Sequence, residues 1–172
     1  MKYIEIDKTI LHEVYLDRDD DQKFSVGYIQ YLDKDCILIK AIDPNGHFDG
    51  YDLFATEDVY QVSYNTEYLK RLNLLSQVTS QSDYDFGEIS FENFAEFARK
   101  NNRVVGVALY GTEHELQGFV KNIDSNHGLL TISQLNSSGK PDGESIVLFE
   151  DIERISFDGI DYQKLETFYN NL

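Results

Sequence analysis

Apolar residues recur at every second position along most of the chain, in short runs rich in β-branched and aromatic side chains, and that period predicts strands with one buried face. In the first half the runs fall at Leu11–Leu16, Phe24–Asp33, Cys36–Ile42, Tyr51–Ala55 and Val59–Tyr64. In the second they fall at Val104–Tyr110, Leu116–Asp124, Leu129–Leu135, Ser145–Phe149 and Ile152–Phe157. After each set the period changes. Tyr68, Leu69, Leu72 and Leu75 follow helical spacing behind Asn65 or Thr66 as N-cap, and Asp161–Tyr169 does much the same. Ser90 can cap a further helix over 91–100, whose Phe94, Phe97 and Ala98 share a face and whose Arg99 and Lys100 suit the C-terminal end of the helix dipole.

The two halves are copies of one pattern. Gly27-Tyr28-Ile29-Gln30-Tyr31-Leu32-Asp33 corresponds to Gly118-Phe119-Val120-Lys121-Asn122-Ile123-Asp124, and two extra residues follow in the second copy near His127-Gly128. From there Ile42 to Leu72 aligns with Leu135 to Leu165 without a gap, pairing Gly46 with Gly139, Asp49-Gly50 with Asp142-Gly143, and Glu57-Asp58 with Glu150-Asp151. Both prolines, Pro44 and Pro141, fall in the same loop, where turn chemistry is expected. The polar stretch Gln77–Asp83 separates the copies, which places one domain at 1–80 and the other at 81–172. Five short strands in about 55 residues predict a small barrel that closes its own edges. The fold class expected is therefore mainly β with flanking helices: two tandem five-stranded barrels related by internal duplication.

Charge alters the functional picture. The chain of 172 residues carries 31 Asp and Glu against 15 Lys and Arg, a net −16, and is 41% hydrophobic and 27% charged. The excess is shared, −7 over 1–80 and −9 over 81–172. A binder of phosphate backbones needs a surplus of cations, so nucleic acid and anionic lipid are poor default partners. Twelve Tyr and 11 Phe supply enough apolar surface for a core, so acidity does not here mean disorder. Met1–Asp7 alternates charged and apolar residues without the hydrophobic stretch of a secretory signal, and no window approaches 18 apolar residues; a soluble, cytoplasmic protein is expected. Cys36 has no partner in the chain and reads as a small buried hydrophobe on a strand.

Several short elements resemble the Sm-like (LSm) family of small barrels, and in part SH3-like barrels. The first Sm-like motif runs glycine, aliphatic, apolar, aspartate, apolar, asparagine, aliphatic at fixed spacing; Gly27, Ile29, Leu32, Asp33, Cys36 and Leu38 fall on it, as do Gly118, Val120, Ile123, Asp124 and Leu129. The second motif, Arg-Gly before a strand, is matched in its glycine and aliphatic positions by Gly50 with Leu53 and by Gly143 with Ile146. The resemblance covers roughly two thirds of the chain and implies barrels that join edge to edge through their last strands. It does not carry over the family's RNA site: the asparagine positions hold Ile37 and Gly128, and the arginine positions hold Asp49 and Asp142. A carboxylate repels a phosphate where an arginine would pair with it.

Candidate chemistry is sparse. Asp17, Asp19 and Asp21 have the spacing of a calcium loop, but Gln22 and Tyr28 stand where its glycine and bidentate glutamate belong, so a solvated turn is expected. His12, His47, His114 and His127 share no position in the repeat, and neither a phosphate loop nor a nucleophile elbow is present. No catalytic residue, metal ligand or cofactor is assigned. Asp49-Gly50 and Asp142-Gly143 are expected to serve a turn needing positive φ, or to form a polar rim that binds a partner; Glu57-Asp58 and Glu150-Asp151 are expected to cap single turns. The leading expectation is a non-enzymatic protein acting through contacts with another protein or a second copy of itself. Two alternatives stay open: RNA binding by another face through Arg99, Lys100 and Arg103, and an acidic mimic of nucleic acid.

Overall fold

In the computed structural model, which describes residues 5–172, each strand-period run becomes a strand. Met1–Ile4, part of the segment read as lacking a signal, lie outside the described residues. The chain divides into a first unit ending at Asp85 and a second running from Phe86 to Leu172. Unit 1 contains β1 (His12–Tyr15), β2 (Ser25–Leu32), β3 (Cys36–Ile42), β4 (Phe48–Ala55), β5 (Gln61–Tyr64) and helix α1 (Glu67–Leu75). Its ladders are antiparallel, in the order β5-β1-β2-β3-β4. Unit 2 opens with α2 (Phe91–Lys100), continues with β6 (Val104–Leu109), β7 (Glu115–Asp124), β8 (Leu129–Leu135), β9 (Pro141–Leu148) and β10 (Ile152–Phe157), and ends with α3 (Ile160–Asn170). Its order, β10-β6-β7-β8-β9, repeats that of unit 1 strand for strand.

The described residues are thus mainly β with three helices, but neither sheet closes on itself, because β4 is not a ladder partner of β5, nor β9 of β10. Between those strands lies one 3-10 turn, at Thr56–Asp58 and at Phe149–Asp151. Three residues carry the chain from one end of the sheet to the other, which gives curl without a closing ladder. Curl is visible in the core of unit 1, where Val14, Ile29, Ile37, Ile39, Phe54 and Val59 form one cluster with Val62 packed against it, so both ends of the sheet share an interior.

Local irregularities that produce the curl occur twice. Register shifts between Ile29 and Tyr31 on β2, and between Val120 and Asn122 on β7, place a bulge at Gln30 and at Lys121. Gly27 and Gly118 precede these bulges, and a Cβ on either would overlap a backbone carbonyl oxygen of the neighbouring strand, that of Lys40 or of Ser133. The motif glycine is therefore there for close strand approach.

Each unit covers its outer face with its C-terminal helix. Leu69 and Leu72 of α1 pack on Leu11, Val26, Tyr28 and Ile42, while Leu165 of α3 packs on Val104 and Leu135. Thr66 and Ser90 are N-caps, accepting from Leu69 N–H at 3.2 Å and Asn93 N–H at 3.1 Å. Leu75, placed on the α1 face by its spacing, is instead 64% exposed as the last residue of the helix.

Candidate functional site

The loops expected to form a polar rim are built alike in both units. Between β3 and β4, Asp43 accepts hydrogen bonds from Asn45 N–H and His47 N–H, both at 2.9 Å; between β8 and β9, Asn136 accepts from Ser138 N–H at 3.0 Å and Lys140 N–H at 3.1 Å. Burial works against the Asp43 charge, but the N–H groups of His47 and Asn45 outweigh it and hold that carboxyl below its ordinary value. The positive-φ residues that these turns need are Gly46 and Gly139.

Asp49-Gly50 and Asp142-Gly143 take a different place from the turn expected. Strands β4 and β9 begin earlier than their apolar period shows, at Phe48 and Pro141, so both dipeptides lie inside a strand. Register shifts there set three steps of β4, Tyr51 to Phe48, against two of β3, Lys40 to Ile42, and β9 repeats the shift against Ser133 to Leu135. Gly50 (φ 86°) and Gly143 (φ 81°) are the left-handed residues of these bulges. Asp142 and Gly143 are exposed, Asp49 is half-buried and Gly50 is buried. The Asp-Gly pairs therefore bend a strand, and neither stands ahead of one as the second motif would require.

The N-cap residues of the two 3-10 turns, Ala55 and Leu148, make no side-chain cap. Each turn has a closing backbone bond, Val59 N–H donating to Thr56 at 3.1 Å and Ile152 N–H donating to Phe149. Side-chain capping is made by the repeated aspartates of the preceding turns. Asp33 accepts from Asp35 N–H at 2.7 Å and Cys36 N–H at 2.8 Å, and Asp124 accepts from Asn126 N–H at 3.1 Å and His127 N–H at 3.2 Å.

The basic residues of the RNA alternative are engaged by carboxylates. Arg99 donates twice to Glu96 at 2.6 Å, Lys100 lies 3.9 Å from the same side chain, and Arg103 lies 3.5 Å from both Asp158 and Glu166. Of the asparagine positions, Ile37 is fully buried in β3, and Gly128 supplies a positive φ of 65° to the longer turn of the second copy. Asp17 and Asp20 bond backbone N–H groups of their own turn and pair with Lys23 at 3.8 and 3.6 Å. Among the described residues no three His, Cys, Asp or Glu side chains gather in a metal-binding group. Burial, reinforced by Asp33 and Asp35, pushes the Cys36 thiol up to about 12.

Sequence reasoning did not single out the sheet ends. Strand β9 pairs with β8 alone and β5 with β1 alone among the described residues. Ile146 on β9 is 67% exposed, Leu148 on β9 is 38% exposed and Tyr64 on β5 is 61% exposed. Periodicity marks these residues as apolar strand positions; only the structure shows that they are exposed on end strands, Tyr64 with its ring edge-on to His12 at 6.1 Å. His12 and Lys40, each at most 3% exposed, were likewise invisible, because a polar residue in an apolar strand carries no signal of its depth.

Fold and surface together define a class: a duplicated, open antiparallel β protein with a covering helix on each copy and end strands bearing exposed apolar side chains. Compared with known proteins, the chain matches no family model, no curated protein and no solved structure. Among the described residues no helix is long and apolar enough to cross a membrane.

Proposed function

We propose that the chain is a non-enzymatic, cytoplasmic protein of two tandem Sm-like or SH3-like small barrels, and that it acts by adding a strand to β9, from a second copy or from another protein. The observation that carries this is β9 itself: eight residues, Pro141–Leu148, hydrogen-bonded on one side only and bearing Ile146 and Leu148 in the open. An end strand with an unpaired row of backbone groups is a template for another strand, and an exposed aliphatic pair adds apolar area to that pairing. Strand β5 of a second copy offers a matching end, with Tyr64 exposed. Pairing of β9 with β5 would link copies head to tail and, if the rotation closes, as a ring. Support for the small-barrel class comes from the duplicated strand order, the paired bulges and the glycines that permit them. The protein-contact reading is favoured over RNA binding by the net acidity and by the carboxylates that neighbour Arg99, Lys100 and Arg103.

Sedimentation and light scattering of the full chain test this. A concentration-dependent mass above that of one chain is expected, and Ile146→Lys, which places a charge in the strand without touching the core, should return it to one chain. A strict monomer at about 100 μM that also captures no strand-forming partner overturns the proposal, since contacts of useful affinity lie near or below that range.

A further inference from the structure

The two units share one row of cross-strand neighbours whose chemistry has diverged. In unit 1, His12 of β1 lies between Gly27 of β2 and Tyr64 of β5. In unit 2, Val105 of β6 lies between Gly118 of β7 and Phe157 of β10. The second row is dry and covered. Val105 and Phe157 are fully buried, and the Phe157 ring packs against Phe94 at 4.7 Å and Phe97 at 5.9 Å, both carried by α2 three residues apart. Sequence explains the seat: Ser90 caps the helix, and its apolar face meets the sheet.

The first row is not covered in the same way by the described residues. Tyr64 stands 61% exposed where Phe157 is buried. Beside it is a cavity of about 360 Å³, with Ile6, Ile10 and Val62 as its apolar lining and the carboxylates of Glu5 and Asp7 among its polar groups. His12 also lines the cavity; it is 1% exposed, and its Nδ1 is buried with no hydrogen-bond partner. A buried polar atom left unsatisfied costs about 1–3 kcal/mol. The fold does not demand that cost, because Val105 occupies the equivalent position in unit 2 without it. Burial lowers the His12 pKa below its ordinary value, which favours the neutral ring, and a neutral ring offers a donor or an acceptor according to its tautomer.

We propose that this cavity docks an amphipathic helix of a partner protein, with two aromatic side chains three residues apart against Tyr64 and Val62, a polar group at His12, and lysine or arginine beside Glu5 and Asp7. The occupant is read from the chain itself. Where the same row is filled, α2 fills it, with Phe94 and Phe97 as anchors at the spacing of one helical face. The two carboxylates then set the sign of the flanking charge. The cavity adjoins Tyr64 on β5, the end that head-to-tail pairing with β9 would use, so Ile146→Lys, which alters β9 alone, separates the two proposals.

The probe is a synthetic peptide of the sequence Glu88–Asn102 with Glu92→Lys and Glu96→Lys, added to the isotope-labelled full chain and followed by NMR. The expected result is that the His12 imidazole and Tyr64 ring signals shift with the peptide while Phe157 signals stay in place. Tyr64→Ala and His12→Val, the latter installing the residue that unit 2 already uses, should each weaken binding about tenfold, which corresponds to about 1.4 kcal/mol. A peptide with Phe94→Ala and Phe97→Ala should produce no shift, and Ile146→Lys in the protein should leave binding unchanged. The proposal is overturned if neither His12 nor Tyr64 responds up to about 1 mM peptide, a Kd that corresponds to only about −4 kcal/mol. It is also overturned if Phe157 alone responds, which would mean displacement of α2, if the Tyr64→Ala protein binds as well as wild type, or if the same shifts appear on concentrating the Ile146→Lys protein without peptide, which would make a second copy the occupant.

Discussion

At the scale of single residues, the repeated glycines and aspartates explain themselves by what touches them. Gly27→Ala and Gly118→Ala push a methyl group into a neighbouring carbonyl oxygen, and each should cost roughly 1–3 kcal/mol or more in urea unfolding. Gly128→Ala meets nothing and strains only its positive φ, so it should cost about 1 kcal/mol; equal losses at the three sites would contradict the close-approach explanation. Burial opposes the charge of Asp33, yet hydrogen bonds from Cys36 N–H, the Tyr31 hydroxyl and Asp35 N–H hold its carboxyl below its ordinary value. Because the folded pKa is the lower one, the carboxylate stabilises the fold at neutral pH, and that contribution is lost as the pH falls below about 4 and through the folded value. Asp33→Asn should therefore be less stable than wild type at pH 7, with the gap narrowing at pH 3; a gap independent of pH would refute the assignment. The Cys36 thiol, buried and raised to about 12, should resist a thiol reagent until the protein unfolds.

At the scale of elements, strand period located the ten strands of the described residues, and Leu129–Leu135 and Ile152–Phe157 have the bounds that the period predicts. It missed the starts of β4 and β9, because the bulges at Gly50 and Gly143 break the alternation that marks a strand. The polar stretch Gln77–Asp83 has the composition of a free connection, yet it is tied to unit 1. Lys40 Nζ donates to Thr79 at 3.0 Å and Gln81 at 2.6 Å, Gln30 donates to Ser80 at 2.9 Å, and the Tyr51 hydroxyl donates to Asp83 at 3.0 Å. These partners are 32 to 50 residues away in sequence, beyond any local pattern. Lys40→Met should remove about 1.5–3 kcal/mol of charged hydrogen bonding and speed proteolysis within residues 76–85, while Lys70→Met, an exposed pair with Glu67, should change neither.

At the scale of the whole molecule, a net charge of −16 disfavours phosphate ligands, and the proposed contact with protein is placed at the open end strand. If β9 is the contact, Ile146→Lys should lower the mass in solution and leave the unfolding midpoint of the monomer within about 0.5 kcal/mol, since a surface substitution away from the core costs little. What the sequence determined by itself was the duplication, the strand content and the helix cap at Ser90, while Asn65 or Thr66 both suited the start of α1, because period, turn residues and capping act over a few neighbours. Whether the curled sheets close, which strands stand at an end, that His12 is buried beside a cavity while its counterpart is Val105, and that Lys40 holds a distant segment were decided only in the tertiary structure. Those outcomes depend on backbone pairing and desolvation between residues far apart in the chain, and no short stretch of sequence carries that information.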